Sequence, residues 1–178
     1  MSGKLSKGLV QVYTGNGKGK TTAALGLGLR AVGHGLKVYM VQFMKNWNYG
    51  EVEGVRRLTP DFMIVQFGRK ECITRSDVNE LDVKLAKEAL KHAEEVIKSG
   101  KYDVVILDEV NIAVGWGLLS VNEVLRLIKD KPSNVELVLT GRYAPKELLD
   151  AADLVTLFEE VKHPYKEKGI TARMGIEY

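Results

Sequence analysis

The sequence predicts an α/β fold, a doubly wound and mainly parallel sheet of about six strands with helices on both faces. Three observations predict it. Short β-branched and aromatic runs alternate along the chain with longer segments of helical periodicity. The first run feeds a glycine-rich loop closing on Gly19-Lys20-Thr21, which is the strand, loop and helix of a phosphate-binding P-loop. A later apolar run, Val104 to Leu107, passes straight into Asp108 and Glu109, as a strand buried on both faces does when it delivers acids at the edge of a sheet.

Gly8 to Thr14 reads as the first strand, with Leu9, Val10, Val12 and Tyr13 as its body. The candidate nucleotide loop follows as Thr14-Gly15-Asn16-Gly17-Lys18-Gly19-Lys20-Thr21-Thr22, with Thr14 where the usual pattern has its first glycine. Glycines keep side chains clear of phosphate oxygens, so that backbone amides and the N-terminus of the next helix supply positive charge. Lys20 adds a full charge, and the Thr21 hydroxyl is the expected Mg²⁺ ligand. The helix, dense in Ala and Leu, runs from Gly19 to about Gly33. Together these predict binding of a nucleoside triphosphate by a P-loop NTPase fold of the RecA-like group.

Lys37 to Phe43 is the second strand. Lys45 to Gly50 lies at its C-terminal end, the edge where open parallel sheets place ligands, and Trp47 and Tyr49 there either pack locally or face a ligand. Residues 51 to 59 form a short helix, Pro60-Asp61 a turn, and Phe62 to Phe67 the third strand. Gly68 to Arg75 is a charged loop on the same edge, either solvated or facing a ligand. Ser76 or Asp77 caps a long helix through Val78, Leu81, Leu85, Ala89, Ala93, Val96 and Ile97 to Gly100, with Asp77 and Glu80 at the capping-box interval. His92, inside it, has no neighbour at metal-ligand spacing and is read as structural.

Tyr102 to Glu109 is the fourth strand; an acid in this place in P-loop proteins holds Mg²⁺ directly or through water, and a cap or surface pair is the alternative. Asn111 to Leu119 is irregular or briefly helical. Ser120 to Glu123 is a capping box opening a helix to about Lys129. Val135 to Thr140 is the fifth strand, Pro145 opens a helix to about Asp150, and Leu154 to Phe158 is the sixth strand. Val161 to Tyr165 is basic and aromatic, Lys166 to Gly169 a turn, and Ile170 to Tyr178 a last extended piece.

A chain of 178 residues is most simply one domain, residues 1–178, long enough to bury a sizeable core. Its 26 Lys and Arg against 23 Asp and Glu leave only +3, too weak a balance to indicate nucleic acid. Cys72 is the single cysteine, which rules out an internal disulfide and fits a reducing compartment. No uncharged apolar stretch reaches the roughly 20 residues that span a bilayer, and Met1 to Lys7 is not followed by a signal-like hydrophobic region. The expected setting is cytoplasmic, without membrane or nucleic-acid partners.

With these stretches in view, the sequence resembles the ATP:corrinoid adenosyltransferases that act on cob(I)alamin and cob(I)yrinic acid a,c-diamide. The resemblance rests on Thr14 to Thr22, Val41-Gln42-Phe43-Met44-Lys45, Gly50-Glu51, Leu107-Asp108-Glu109 and Thr140-Gly141-Arg142. It continues through Ala152-Asp153, Val161-Lys162-His163 and Met174-Gly175-Ile176-Glu177-Tyr178, nearly the whole chain in order. Two departures are visible. Many members carry an extra helix before the first strand, where this chain has Met1 to Lys7. Some carry a Phe and a Trp after the third strand to displace the corrinoid's lower ligand, where this chain has Gly68-Arg69-Lys70-Glu71-Cys72-Ile73.

The resemblance implies that a cobalt(I) corrinoid attacks the 5′ carbon of ATP, the co-substrate, and expels tripolyphosphate. Cobalt(I) is already a strong nucleophile, so the protein need only position the carbon and stabilise the leaving charge. It implies catalytic roles for Lys20, Thr21 and Glu109, ATP contacts from Thr14 to Thr22 and Arg30, and Mg²⁺ on Thr21, Asp108 and Glu109. Arg30 is otherwise an exposed helical arginine. The corrinoid is expected near Trp47, Gly68, Arg69, Asn111 and Trp116. ATP is expected reversed in the loop relative to ordinary NTPases. Further implications are a homodimer and an electron donor such as a flavoprotein reductase. The competing readings are a RecA-like ATPase in which Glu109 polarises water, a nucleic-acid motor, and a corrinoid carrier.

Overall fold

The computed structural model describes residues 4–71 and 73–178. Cys72 and Met1 to Gly3, the start of the segment read as carrying no signal-like region, lie outside the described residues. Six strands form one sheet: β1 (Val10–Thr14), β2 (Val38–Phe43), β3 (Phe62–Phe67), β4 (Val104–Asp108), β5 (Glu136–Thr140) and β6 (Leu154–Leu157). Their order is β3-β2-β4-β5-β1-β6, and every pairing is parallel. All six C-terminal ends therefore meet along one edge.

The helices are α1 (Lys20–Gly33), α2 (Gly50–Arg56), α3 (Glu80–Lys98), α4 (Val110–Gly115), α5 (Val121–Asp130), α6 (Lys146–Ala151) and α7 (Pro164–Lys168). Strand alternation sorts them into two layers. Val38, Met40, Val104, Ile106 and Val138 face Ala24 and Ala31 of α1 and Val55 of α2. Tyr39, Val41, Phe43, Val105, Leu107 and Leu139 face α3 to α6 through Ala86, Ala89, Ala93, Ala113, Val124 and Leu148. The central strands are thus buried on both faces, which is why they read as unbroken apolar runs. β6 differs: it sits at the sheet edge with Leu154, Val155 and Leu157 exposed.

Local departures from the sequence reading have local causes. α3 is capped by Asn79, whose side chain accepts from Leu81 N at 2.9 Å while Asp82 accepts from Asn79 N at 2.9 Å. Asp77 instead closes a 3₁₀ turn at Arg75–Asp77 against Thr74. The two boxes share one spacing, and the extended backbone of Val78 makes the later one the helix start. Leu81 consequently falls off the buried face, at 48% exposure. His92 bonds to the Tyr39 hydroxyl at 2.8 Å and sits beside Phe67, a packing role as expected. Lys166 to Gly169 belongs to α7 and its C-cap, and residues 174–177 turn rather than extend. Among the described residues no helix is long and apolar enough to cross a membrane.

Candidate nucleotide site

The site begins where β1 ends. Gly19 caps α1 with φ 114°, a left-handed turn that glycine adopts without strain. Gly15 and Gly17 answer to a second constraint, the chain leaving β6. Gly17 N donates to Phe158 O at 2.7 Å, and an added methyl would lie 2.4 Å from Phe158 O at Gly15 and 2.7 Å from Glu159 O at Gly17. The loop is therefore moulded by protein backbone as well as shaped for phosphate. Thr14 is buried beneath it, its hydroxyl accepting from Ala144 N at 3.4 Å.

From β1, α1 crosses β5 to lie over β4, and this brings Thr21 to Asp108. Asp108 is fully buried and saturated. Its Oδ1 accepts from Thr21 Oγ1 at 2.8 Å and Thr140 Oγ1 at 2.7 Å, and its Oδ2 from Lys45 Nζ at 2.8 Å and Gln42 Nε2 at 3.1 Å. Burial pushes this carboxyl up, but the Lys45 ammonium and the hydroxyls of Thr140 and Thr21 outweigh it and hold Asp108 below the usual carboxylate range. An ionised carboxylate offers about four acceptor positions, and all are taken. Asp108 thus orients Thr21, and with its acceptor positions taken it fits the reading of an acid that holds Mg²⁺ through water better than one in direct contact.

Glu109 is the open acid. The chain takes φ 65° there, leaving β4 to start α4, and its N–H donates to Thr140 Oγ1 at 3.0 Å. Its Oε2 is buried without a partner. Burial, and then the neighbouring Asp108 charge, push this carboxyl above its ordinary value. Glu109 and Thr21 line the same cleft, and a carboxylate with a hydroxyl is a hard oxygen donor set that suits a small divalent cation. Among the described residues no cluster of three or more His, Cys, Asp or Glu side chains gathers.

Asn16 to Thr22 line a cleft of ≈ 560 Å³ together with Lys45, Tyr49, Glu51, Glu109, Ile112, Arg142 and the segment Gly175 to Tyr178. Lys20 is buried at its base, donating to Gly17 O at 2.6 Å, and burial lowers its pKa against the pull of Glu109. With Lys18, Lys45 and Arg142 it gives the cleft a cationic wall fit for a polyphosphate. Met44, at φ 54°, turns the chain after β2 so that Lys45 reaches back to Asp108. For Lys45, burial is opposed by Asp108 and Glu109, which raise its pKa, so it stays charged.

A second cavity of ≈ 230 Å³ adjoins, lined by Phe43, Met44, Trp47, Arg69, Ile73 and Trp116, and sharing Lys45, Tyr49, Glu109 and Ile112 with the first. Trp47 and Trp116 thus line one cavity. Gly68 stands at the end of β3, its carbonyl accepting from Asn46 at 3.1 Å. Arg69 borders the cavity but spends its guanidinium on Asp82, at 2.8 and 3.0 Å. Two expected contacts fall elsewhere. Asn111 is fully buried, bridging Tyr13 O and Gly141 O, so it braces β1 to β5 instead of facing the cavity. Arg30 lies in the last turn of α1, exposed and about 15 Å along the helix from Lys20, so the structure does not bring it to the loop.

Gln42, Lys45, Thr140 and Arg142 carry much of this geometry without having been singled out. Each lies in a segment that marks the family resemblance, but an interior polar residue on a buried strand shows its role only when its neighbour across the sheet is known.

The chain matches the family model described as ATP:corrinoid adenosyltransferase BtuR/CobO/CobP over residues 6–178. It is 36% identical over 174 residues to a corrinoid adenosyltransferase of Escherichia coli K12, covering 97% of this chain and 86% of that protein. It is 38% identical to a corrinoid adenosyltransferase of Sinorhizobium sp, covering 97% and 81%. A corrinoid adenosyltransferase of Salmonella typhimurium is 35% identical, covering 97% and 86%. In fold it resembles a KaiC-like protein of Pyrococcus horikoshii, with TM-score 0.57 and 18% identity over 88% of this chain and 75% of that one. That likeness is one of fold: a parallel sheet with helices on both faces.

Proposed function

Because the chain belongs to the ATP:corrinoid adenosyltransferase family, we propose that it transfers the 5′-deoxyadenosyl group of ATP to the cobalt of a reduced corrinoid and releases tripolyphosphate. The observation that carries this reading is the shared wall. A polyphosphate cleft and a second, aromatic cavity meet at Lys45, Tyr49, Glu109 and Ile112. An ATPase needs only the first of these spaces.

In the proposed reaction the cobalt(I) electron pair forms a bond to C5′ as the C5′–O bond breaks, and its electrons leave with the triphosphate. Cobalt rises formally from +1 to +3, so a separate donor, such as a flavoprotein reductase, supplies the reduced substrate. Lys20, Lys18 and the loop amides hold the leaving group where its charge grows, without reorganising during the reaction. Thr21, oriented by Asp108, and the Glu109 carboxylate, which lines the same cleft, would hold Mg²⁺; when bound, this ion would offset triphosphate charge. Trp47 and Trp116 would border the corrinoid and keep water from the cobalt.

Product analysis separates this from hydrolysis. Phosphorus NMR of a reaction with ATP, Mg²⁺ and reduced cobalamin is expected to show intact tripolyphosphate. Accumulation of ADP and phosphate instead would assign the chain to the ATPases.

A further inference from the structure

We propose that Gln66, on the edge strand β3, is a positioning residue for the nucleotide site: through the buried amide of Gln42 it fixes the carboxylates of Asp108 and Glu51, and through Asp108 the Thr21 hydroxyl. This rests on the metal-holding role proposed for Thr21 and adds what keeps that hydroxyl in place. The row follows from strand alternation. On the face covered by α1 and α2, β3 presents Phe62, Ile64 and then Gln66; β2 presents Val38, Met40 and then Gln42; β4 presents Val104, Ile106 and then Asp108. Gln66 and Asp108 are both register partners of Gln42. Apolar layers thus end in one polar layer at the C-terminal edge of the sheet.

Gln42, at the centre of that layer, is fully buried, where an amide is costly unless its polar atoms are paired. Its neighbours allow one orientation. Nε2 donates to Asp108 at 3.1 Å and to Glu51 at 3.2 Å. Carboxylates only accept, so the amide nitrogen must face them and the carbonyl must turn away. That carbonyl meets Gln66, whose Nε2 donates to it at 2.9 Å. Gln66 therefore supplies the donor that the turned amide requires. An apolar side chain in its place would leave a buried carbonyl unpaired, and an acceptor would favour turning the amide over, with its oxygen against both acids. Those acids belong to the site. Glu51 lines the polyphosphate cleft, and Asp108 accepts from Thr21 at 2.8 Å. Gln66 faces a different cavity, beside Asn46, Trp47, Asn48 and Lys70, so its route to the cleft runs through Gln42.

Calorimetric titration of the full chain with ATP, with and without Mg²⁺, reads the gain in affinity that the ion confers. Single-turnover transfer to reduced cobalamin reads the rate. Gln66→Glu keeps the shape of the side chain but at about pH 7 presents an ionised acceptor. It is expected to cut the Mg²⁺-dependent gain about tenfold, the worth of a hydrogen bond to a charged group. Gln66→Met only withdraws the donor and is expected to cut the gain about threefold, as for a neutral hydrogen bond. Gln66→Lys restores a donor and is expected to keep it. Affinity without Mg²⁺, the mark of an intact fold, and the KM for cobalamin stay as in the parent, while kcat falls in the same order as the gain. Equal gains in all four chains would overturn the proposal, as would a loss in Gln66→Lys matching that in Gln66→Glu. A loss equal with and without Mg²⁺ would make Gln66 a support of the fold, and a change confined to the KM for cobalamin would make it a corrinoid contact; either result overturns the row. A parent chain whose ATP affinity does not rise with Mg²⁺ would overturn the role of Thr21 and the row with it. Binding that follows the expected order in a chain without transfer activity would support the row while overturning the adenosyl-transfer reading.

Discussion

Lys20→Ala is expected to weaken ATP binding by about 10–100-fold, the worth of a hydrogen bond between charged groups, and to slow transfer by a further ~10²–10³-fold. The ammonium is held in place before substrate arrives: it is buried and donates to Gly17 O at 2.6 Å. Substrate binding therefore costs it little side-chain entropy. Removing it takes away the buried charge of the P-loop itself, and Lys18, half exposed at 54% and engaged with Ile176 O and Glu177, does not take its place. Titration and single-turnover rates measure the two effects separately. Because C5′ carries no charge of its own, the rate loss reports on stabilisation of the departing triphosphate.

Asp108→Ala is expected to destabilise the fold by about 3–5 kcal/mol, since it leaves a buried ammonium without its partner. Lys45 is only 15% exposed in its side chain, and Asp108 is its 2.8 Å partner. Thr21 and Thr140 lose an acceptor in the same step. Denaturant melts of Asp108→Ala, Lys45→Met and the double variant distinguish packing from chemistry. The double variant is expected to recover much of the stability, as apolar replacement of a buried pair does, yet to remain inactive because Thr21 is no longer oriented. Recovery of transfer together with stability would show that Asp108 is only structural. The pH response has a fixed sign. Asp108 titrates below its unfolded value, so its contribution is present above that value and is lost as pH falls through the depressed one.

The sheet was legible because each central strand is buried on both faces and each connection carries helical periodicity. Thr14 to Thr22 and Asp108-Glu109 were legible as local patterns with a local chemistry. What stayed hidden depends on pairing across the sheet. Asp108 reads as an acid that holds Mg²⁺ directly or through water, and only the pairing of Gln42, from β2, and Thr140, from β5, shows how its lone pairs are shared. Asn111 reads as a cavity residue from its place after β4, but α4 starts at Val110 and turns its amide inward between β1 and β5. Arg30 fails for a simpler reason: ten residues of helix carry it away from the loop. The fold of 173–178 back over the P-loop had no periodicity to announce it, because its contacts are one lysine and one aromatic ring.

The most direct test follows the cobalt. With ATP, Mg²⁺ and chemically reduced cobalamin under anaerobic conditions, the absorption spectrum is expected to develop the bands of a cobalt–carbon bond, in step with consumption of ATP and not in Lys20→Ala. A spectrum that stays that of unalkylated cobalt while the wild-type chain consumes ATP would contradict transfer from C5′.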